Sequence, residues 1–558
     1  MSYAEAQYTI DEVLAGVKDM QVAGNEPNNL KNINIIGGDS HNFISFEAQD
    51  TMIDGQVVTT TVGVICRRKL GAYPDDENDG DLVFDASGAE LGAYISTPFI
   101  DEGLENDVTY FYRFFPYTAY GMMNRSLNNT ATATPHDATI WGFHQDFTNL
   151  DPDSCITYIE SAKGYNPMRT NVSRSTYSLG SWGEWDWIKK NRPFVINKNR
   201  ELLYSLKDGN YMTLTNDSTL SSSAVEGSSW NGDFVTWIPK IYMKEVYAED
   251  GNSRDVLFAL TREGETWDYI PVGFHNKNGE ELEGLWIPMF YPCAADHRSI
   301  YNRAPYNSGG SVETVMSTKL PTRYGEDNSA ALGGPILNML RDLLYMLYKS
   351  TNIQKHNGDG FANRTSSMSS NTGVTINTKS GGDATYGFWG QTAASGETGN
   401  ASRLFHSVVL GAMYTSIVDP YFYVKGGFLW GCKNYKGNIA TGSDEHYVQS
   451  SNIYYGTSAQ SNSKYPSKLA YFGDGYGSLP VVGNNDGGSD TGLTDSLYFT
   501  NTDGTLPYIV VRFGHYNTKY AAGPAHMRFT HNKGSVAGSA QFCMSHIIFP
   551  DVGFDPTV

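Results

Sequence analysis

The chain has 558 residues, enough for several domains and for a sizeable core without covalent staples. Its 58 glycines, 37 tyrosines and 13% aromatic content, against only 18% charged residues, favour short strands joined by tight turns and speak against a helical enzyme core. A formal net charge of -20 and a pI near 5.0 remove the average electrostatic footprint that nucleic-acid binding or an anionic membrane requires.

From the start of the chain, Ile10, Val13, Leu14, Val17 and Met20 recur at helical spacing and predict a short amphipathic helix. Such a helix is marginal alone. Residues 1–30 therefore read as an arm for attachment or oligomerisation, with packing on the chain's own first domain as the alternative. Charged residues interrupt the apolar positions up to Met20, so no signal peptide is expected.

Residues 31–135 alternate turns with predicted strands at 42–47, 57–69, 82–84, 109–116 and 130–134, the pattern of a small sandwich. The turn carrying Asp75, Glu77, Asp79 and Asp81 imitates the start of a calcium loop. Ala86 stands where the closing glutamate would be needed, so a solvated turn is expected. The segments GVICRRKLGAYP, DGDLVF and DEGLENDVTYFYRFFPYTAYG follow one another in an order that resembles fibronectin type III-like modules of phage tail and other virion proteins.

Residues 136–250 read as a β-rich connecting region. Its succession of TIWGFHQDF, a tryptophan-rich stretch, a KDGN turn and TWIPKIYMKEVY is similar to a region of phage structural proteins upstream of a lectin-like core. Trp182, Trp185 and Trp187 offer either a stacking platform for sugars or core packing. Core packing is favoured, because Trp185 and Trp187 would share one face of a strand and one face is normally buried.

In residues 251–558 a long helix is predicted over 335–354, with Leu337, Leu340, Leu344, Leu347 and Tyr348 on one face. Surface loops rich in Gly, Ser, Thr and Asn come after it at 357–383, 457–464 and 483–494. From residue 508 a β-rich run reaches Arg512-Phe513-Gly514, breaks into a polar aromatic loop, and returns through Gly523 to a closing strand at 546–549. With LLYMLYKSTNIQ and YVKGGFLWG upstream, this ending resembles C-type-lectin-like domains, including the formylglycine-generating-enzyme-like branch used by phage tropism determinants.

The resemblance implies a rigid scaffold that displays loop side chains for binding. It points to His515, Tyr516, Asn517, Lys519 and Tyr520, and also to Trp430, Asn434 and Tyr435. Tyr, Trp and Asn suit such a surface, since aromatic residues add contact area at small entropic cost and amides adapt their hydrogen bonds. Residues 452–455 (NIYY) carry a similar mixture.

No Walker loop, nucleophile elbow, HExxH or paired-cysteine zinc motif occurs. His526 and His531 lie five apart, a weak metal signal set against ordinary surface or core histidines. The five cysteines are odd in number and far apart, as expected of reduced, buried thiols. Formylglycine-generating enzymes depend on two neighbouring cysteines near the C-terminus, and Cys543 has no close partner. No catalytic residue, metal ligand or cofactor is therefore expected.

The expected fold class is mainly β with minor α, a fibronectin III-like β-sandwich followed by a C-type-lectin-like α+β domain. The expected role is that of a phage virion structural protein, a tail or head fibre or receptor-binding protein exposed on the particle and assembled in the host cytoplasm. Expected partners are other virion proteins through the arm, a host surface glycan or protein, and further copies of the chain, such as a trimer. No nucleic acid and no membrane insertion are expected. The alternatives are a purely structural capsid or tail decoration protein and a polysaccharide depolymerase.

Overall fold

The computed structural model of the chain describes residues 26–38, 40–53, 56–96, 99–136, 139–171, 176–208, 210–221, 229–263, 269–290, 292, 297–299, 315–353, 392–393, 400–401, 404–407, 409–410, 416–437, 445–456, 466–482, 497–499, 508–512, 527–532, 542–543 and 545–557. The predicted helix over 10–20 and the predicted loops at 357–383, 457–464 and 483–494 lie outside the described residues. Among the described residues the fold is mainly β. The chain divides into two compact units, Met1–Thr139 with Thr261–Tyr269, and Ile140–Leu260 with Ile270–Val558.

The first unit contains a three-stranded sheet ordered Lys31–Gly38, His41–Glu47, Phe99–Glu102, and a four-stranded sheet ordered Asp81–Ser87, Gly63–Leu70, Tyr110–Tyr117, Thr130–Ala133. Every pairing is antiparallel. Alternation along the strands sends Ile44 and Phe46 from one sheet, and Val64, Cys66, Phe84, Tyr112 and Phe114 from the other, into one shared core. The single strand predicted over 57–69 is two. Gln56–Thr59 folds back on Thr51–Ile53, and a second strand begins at Gly63, where the Tyr117 ring occupies the space a side chain would need.

A polar chain crosses this core. Asn42 Nδ2 donates to the Tyr112 hydroxyl at 2.7 Å, the hydroxyl donates to Asp101 Oδ2 at 2.7 Å, and Arg68 pairs with the other Asp101 oxygen. The Tyr112 hydroxyl and the Asp101 carboxylate thereby gain the partners that their desolvation demands. The acidic turn is neutralised by its own chain. Lys69 Nζ sits 2.8 Å from Asp79, and Arg125 Nε 2.9 Å from Glu77; those bonds hold both carboxyls below their usual range. The excursion at 261–263 docks back through His136, whose Nε2 lies 2.9 Å from Glu263 Oε1.

The second unit is built on an antiparallel seven-stranded sheet ordered Asn210–Leu214, Leu202–Lys207, Pro193–Ile196, Asp233–Pro239, Gly284–Pro288, His546–Ile548, Ser329–Ala331. A four-stranded sheet runs Ile156–Glu160, Ile140–Asp146, Ser253–Ala259, Tyr242–Tyr247. A further sheet places Val448–Tyr454 at one edge, then Phe428–Gly431, Ser416–Lys425, Tyr508–Arg512, Met527–Asn532 and Leu497–Phe499. Residues 136–250 are thus not a separate connecting region. Ile140–Asp146 pairs with Ser253–Ala259, and Asp233–Pro239 pairs with Gly284–Pro288, so this stretch shares sheets and core with residues beyond 250.

Trp182, Trp185 and Trp187 are all buried, which removes the sugar-platform reading and supports core packing. They do not lie on a strand. Trp182 sits in the 3₁₀ turn Gly180–Glu184 and Trp187 in the short helix Asp186–Lys190. A three-residue turn brings positions 182 and 185 together, and their ring centroids are 5.4 Å apart.

The helix Pro335–Tyr348 opens with proline at its first position and ends where Lys349 turns left-handed at φ 51°, so it stops short of the predicted residue 354. All fourteen of its residues are buried, so it is a central helix and not a one-faced surface helix. Its polar residues are accommodated by a charge network. Asp342 accepts from Arg254 at 2.6 and 3.2 Å and from Arg341 at 2.7 and 3.0 Å, and Arg254 also bonds Glu245 at 3.0 Å and Gln145 at 2.9 Å. Arg341 Nη1 reaches the Ser478 carbonyl at 2.8 Å and Asn338 the Tyr476 carbonyl at 2.8 Å, tying the hairpin Pro466–Gly473/Gly477–Val482 to the helix. Burial alone would raise the Asp342 carboxyl, but Arg254 and Arg341 outweigh it and hold it below its usual range. Glu245 shares Arg254 with Asp342, and burial leaves its carboxyl raised.

Candidate functional site

The hairpin Ser416–Lys425/Phe428–Gly431 turns at Gly426 and Gly427, whose φ of 61° and 81° suit a tight connection that follows the strand twist. Beyond Gly431 the chain enters a turn at 432–437 that is fixed from within. Asn434 Oδ1 accepts from the Cys432 thiol and from the Lys436 amide, both at 3.3 Å, while the Gly437 amide donates to Cys432 Sγ at 3.2 Å. A side chain at 437 would collide with the Tyr447 ring, so only glycine fits this corner.

Tyr435 anchors the turn. It is held left-handed at φ 58°, a conformation a bulky residue keeps only where its surroundings over-determine it. Those surroundings are the edge of Tyr421 at 5.0 Å, the Phe549 ring at 5.8 Å, and the Gly273 carbonyl, which accepts from the Tyr435 hydroxyl at 3.0 Å. Lys433 and Lys436 remain exposed on either side.

Beside this anchor lies a cleft of about 390 Å³. One wall is Tyr435, Lys436, Gly437 and His446; the other comes from the turn at Lys277 and Asn278 and from the segment that carries Ser317, Glu326 and Asp327. The 276–280 turn is formed by Asn276, whose Oδ1 accepts from the amides of Asn278 at 2.9 Å and Glu280 at 3.0 Å, with Gly279 at φ 84°. Lys277 Nζ donates to the Glu326 carbonyl, bridging the two segments of that wall. Burial pulls the Lys277 ammonium below its usual range, with Asp327 and then Glu326 acting against it. Two lysines and two carboxylates nearly cancel in charge, so the cleft presents donors and acceptors without a strong field, as suits a neutral hydroxylated ligand.

Of the residues expected from sequence, His515, Tyr516, Asn517, Lys519 and Tyr520 lie outside the described residues, as does His526. Trp430 is half-buried and stacks on Tyr423 with ring planes 9° apart and centroids 5.8 Å apart. Asn434 is half-buried and shapes the turn, so its amide oxygen is committed. Tyr435 is a correction. At 1% exposure it is a core side chain that fixes the cleft and cannot offer a free contact face. In the 452–455 stretch, Tyr454 is 53% exposed on an edge strand over Phe428, whereas Tyr455 is buried with its hydroxyl on the Pro480 carbonyl.

Sequence reasoning missed Lys277, Asn278, Ser317, Glu326, Asp327 and His446. For Lys277, Asn278, Glu326 and Asp327 the only local signal is turn chemistry, Asn276 to Gly279 and Gly325 to Asn328, two charged glycine-asparagine turns with nothing in sequence to bring them together, and Ser317 and His446 lie outside both. Among the described residues, no group of three or more His, Cys, Asp or Glu side chains is placed to hold a metal ion, and no helix is long and apolar enough to cross a membrane. No family model, curated protein or solved structure matches the chain.

Proposed function

We propose that the chain is a phage virion structural protein, a fibre or receptor-binding protein that adheres to a host surface glycan or protein without catalysis. In this reading the first unit is a fibronectin III-like sandwich and the second carries a C-type-lectin-like domain. The three-plus-four strand arrangement over one core supports the former. The packed helix Pro335–Tyr348 and the closing strand His546–Ile548 inside a sheet support the latter.

The observation that carries the proposed activity is the cleft at Lys277, Glu326, Lys436 and His446, open on one side of a turn that Tyr435 locks into the core. A rigid wall with adaptable polar groups is what weak, multivalent glycan recognition needs. Its two acidic side chains, Glu326 and Asp327, are chain neighbours on one wall and do not flank the cleft as a glycosidase pair does.

Fluorescently labelled protein is expected to bind bacterial cells or immobilised surface polysaccharide, and Lys436→Glu with His446→Ala to reduce that binding at least tenfold while circular dichroism is unchanged. Full binding by the folded double variant removes the cleft as the contact site. Shortening of the polysaccharide during incubation overturns the non-catalytic reading.

A further inference from the structure

The second unit has another concavity, of about 450 Å³, on the face where the 555–557 segment passes the strands Pro193–Ile196 and Leu202–Lys207. It shares no lining residue with the cleft at Tyr435. Three cations line it, Lys189, Lys190 and Arg192, against one carboxylate, Asp186. Two further carboxylates, Glu184 and Asp555, lie just outside the lining and pair with the lysines, which leaves Arg192 as the lining cation with no carboxylate partner among the described residues.

The cations are placed by local structure. Lys189 and Lys190 end the short helix Asp186–Lys190, and Arg192 comes directly before Pro193 starts the strand. Lys189 lies 3.1 Å from Glu184 and 3.8 Å from Asp186, and Lys190 lies 3.3 Å from Asp555. Both lysine side chains are nearly half exposed, at 49% and 46%. The Lys189 pairs are exposed on both sides and contribute at most about 1 kcal/mol, so that ammonium can turn to a ligand at little cost. Lys190 stays on Asp555, which is only 15% exposed, and has further N–H donors for a ligand. Arg192 is exposed and has no ion pair among the described residues. Its planar guanidinium matches a carboxylate or phosphate through two parallel N–H bonds.

The rest of the lining narrows the ligand. The hydroxyl-bearing Ser205 and Thr215 add short polar side chains that both donate and accept, while Pro193 and Pro556 give apolar surface. The volume falls in the range of small-ligand sites. We propose that this pocket binds an anionic saccharide of one or two rings, its carboxylate or phosphate held by Arg192 and the two lysines and its ring hydroxyls by Ser205 and Thr215. A sugar acid and a sugar phosphate present the same chemistry here, and the pocket does not depend on the cleft at Tyr435.

Calorimetric titration of the full chain with glucuronate, glucose 6-phosphate and neutral glucose tests this. At low salt at least one of the two anions is expected to bind at least tenfold more tightly than glucose, and to weaken in 0.5 M NaCl; the tighter of the two identifies the anion class. Arg192→Ala should lower anion affinity at least tenfold, while Lys198→Ala, an exposed cation outside the pocket, should not. Equal affinity for glucose and both anions, no binding of either anion at tens of millimolar, or full anion binding by a folded Arg192→Ala protein would each overturn the proposal.

Discussion

Replacing Asp342 with alanine removes the acceptor of four hydrogen bonds and leaves Arg254 and Arg341 buried with one carboxylate, Glu245, between them. Breaking a buried pair by deleting one partner costs about 3–5 kcal/mol, because the remaining charge stays desolvated. Unfolding entropy near 2.1 cal/mol/K per residue gives a unit of roughly 400 residues about 0.8 kcal/mol/K, so this cost lowers the melting temperature by roughly 4–6 °C. Scanning calorimetry at pH 7 should show the drop in the second unit's transition, with Asp342→Asn between variant and parent because it keeps one acceptor. The pH dependence rests on the same carboxyl. Held below its usual value in the folded protein, Asp342 contributes fully above pH 3.8 and loses that contribution as the pH falls through its lowered folded value, so the acid limb of the stability curve should flatten in Asp342→Ala. A melting temperature within 1 °C of the parent would refute the claim that this network fixes the central helix.

Two further changes probe the first unit and the thiols. Tyr112→Phe deletes the hydroxyl between Asn42 and Asp101 and is expected to cost about 2 kcal/mol; in a unit of roughly 150 residues that lowers its own transition by roughly 6 °C while the second unit's is unmoved. Cys66, Cys155 and Cys432 are buried, with burial pushing each thiol up, Cys155 to about 12. In a Cys293→Ser, Cys543→Ser background the native protein at pH 8 should not react with an aromatic disulfide reagent, and three thiols should react after denaturation.

The mainly β class and most strands of the first unit were legible because alternation there is regular. Val64 and Cys66 are buried while Ile65 and Arg67 are only half-buried, and the predicted 109–116 strand falls one residue from Tyr110–Tyr117. The tryptophan-rich stretch misled because spacing of two fits a strand, whereas the pair that matters, Trp182 and Trp185, is spaced by three. The central helix was found but its burial was not, since Arg341 and Asp342 look like a solvent face until Arg254, far away in sequence, supplies the counter-charge. The same limit hid the cleft. Lys277, Glu326 and His446 are ordinary turn residues until sheet pairing gathers them, and Tyr435, the one cleft residue chosen from sequence, proved to be its support.

The strand His546–Ile548 lies between Gly284–Pro288 and Ser329–Ala331 inside the seven-stranded sheet. During synthesis, the neighbouring strands, made more than two hundred residues earlier, must wait with an open hydrogen-bonding edge until residue 548 has left the ribosome, so the main sheet of the second unit stays incomplete until then. Nascent chains stalled before this strand should therefore engage chaperones or aggregate, while the first unit's three- and four-stranded sheets, whose strands are complete by Ala133, have already formed.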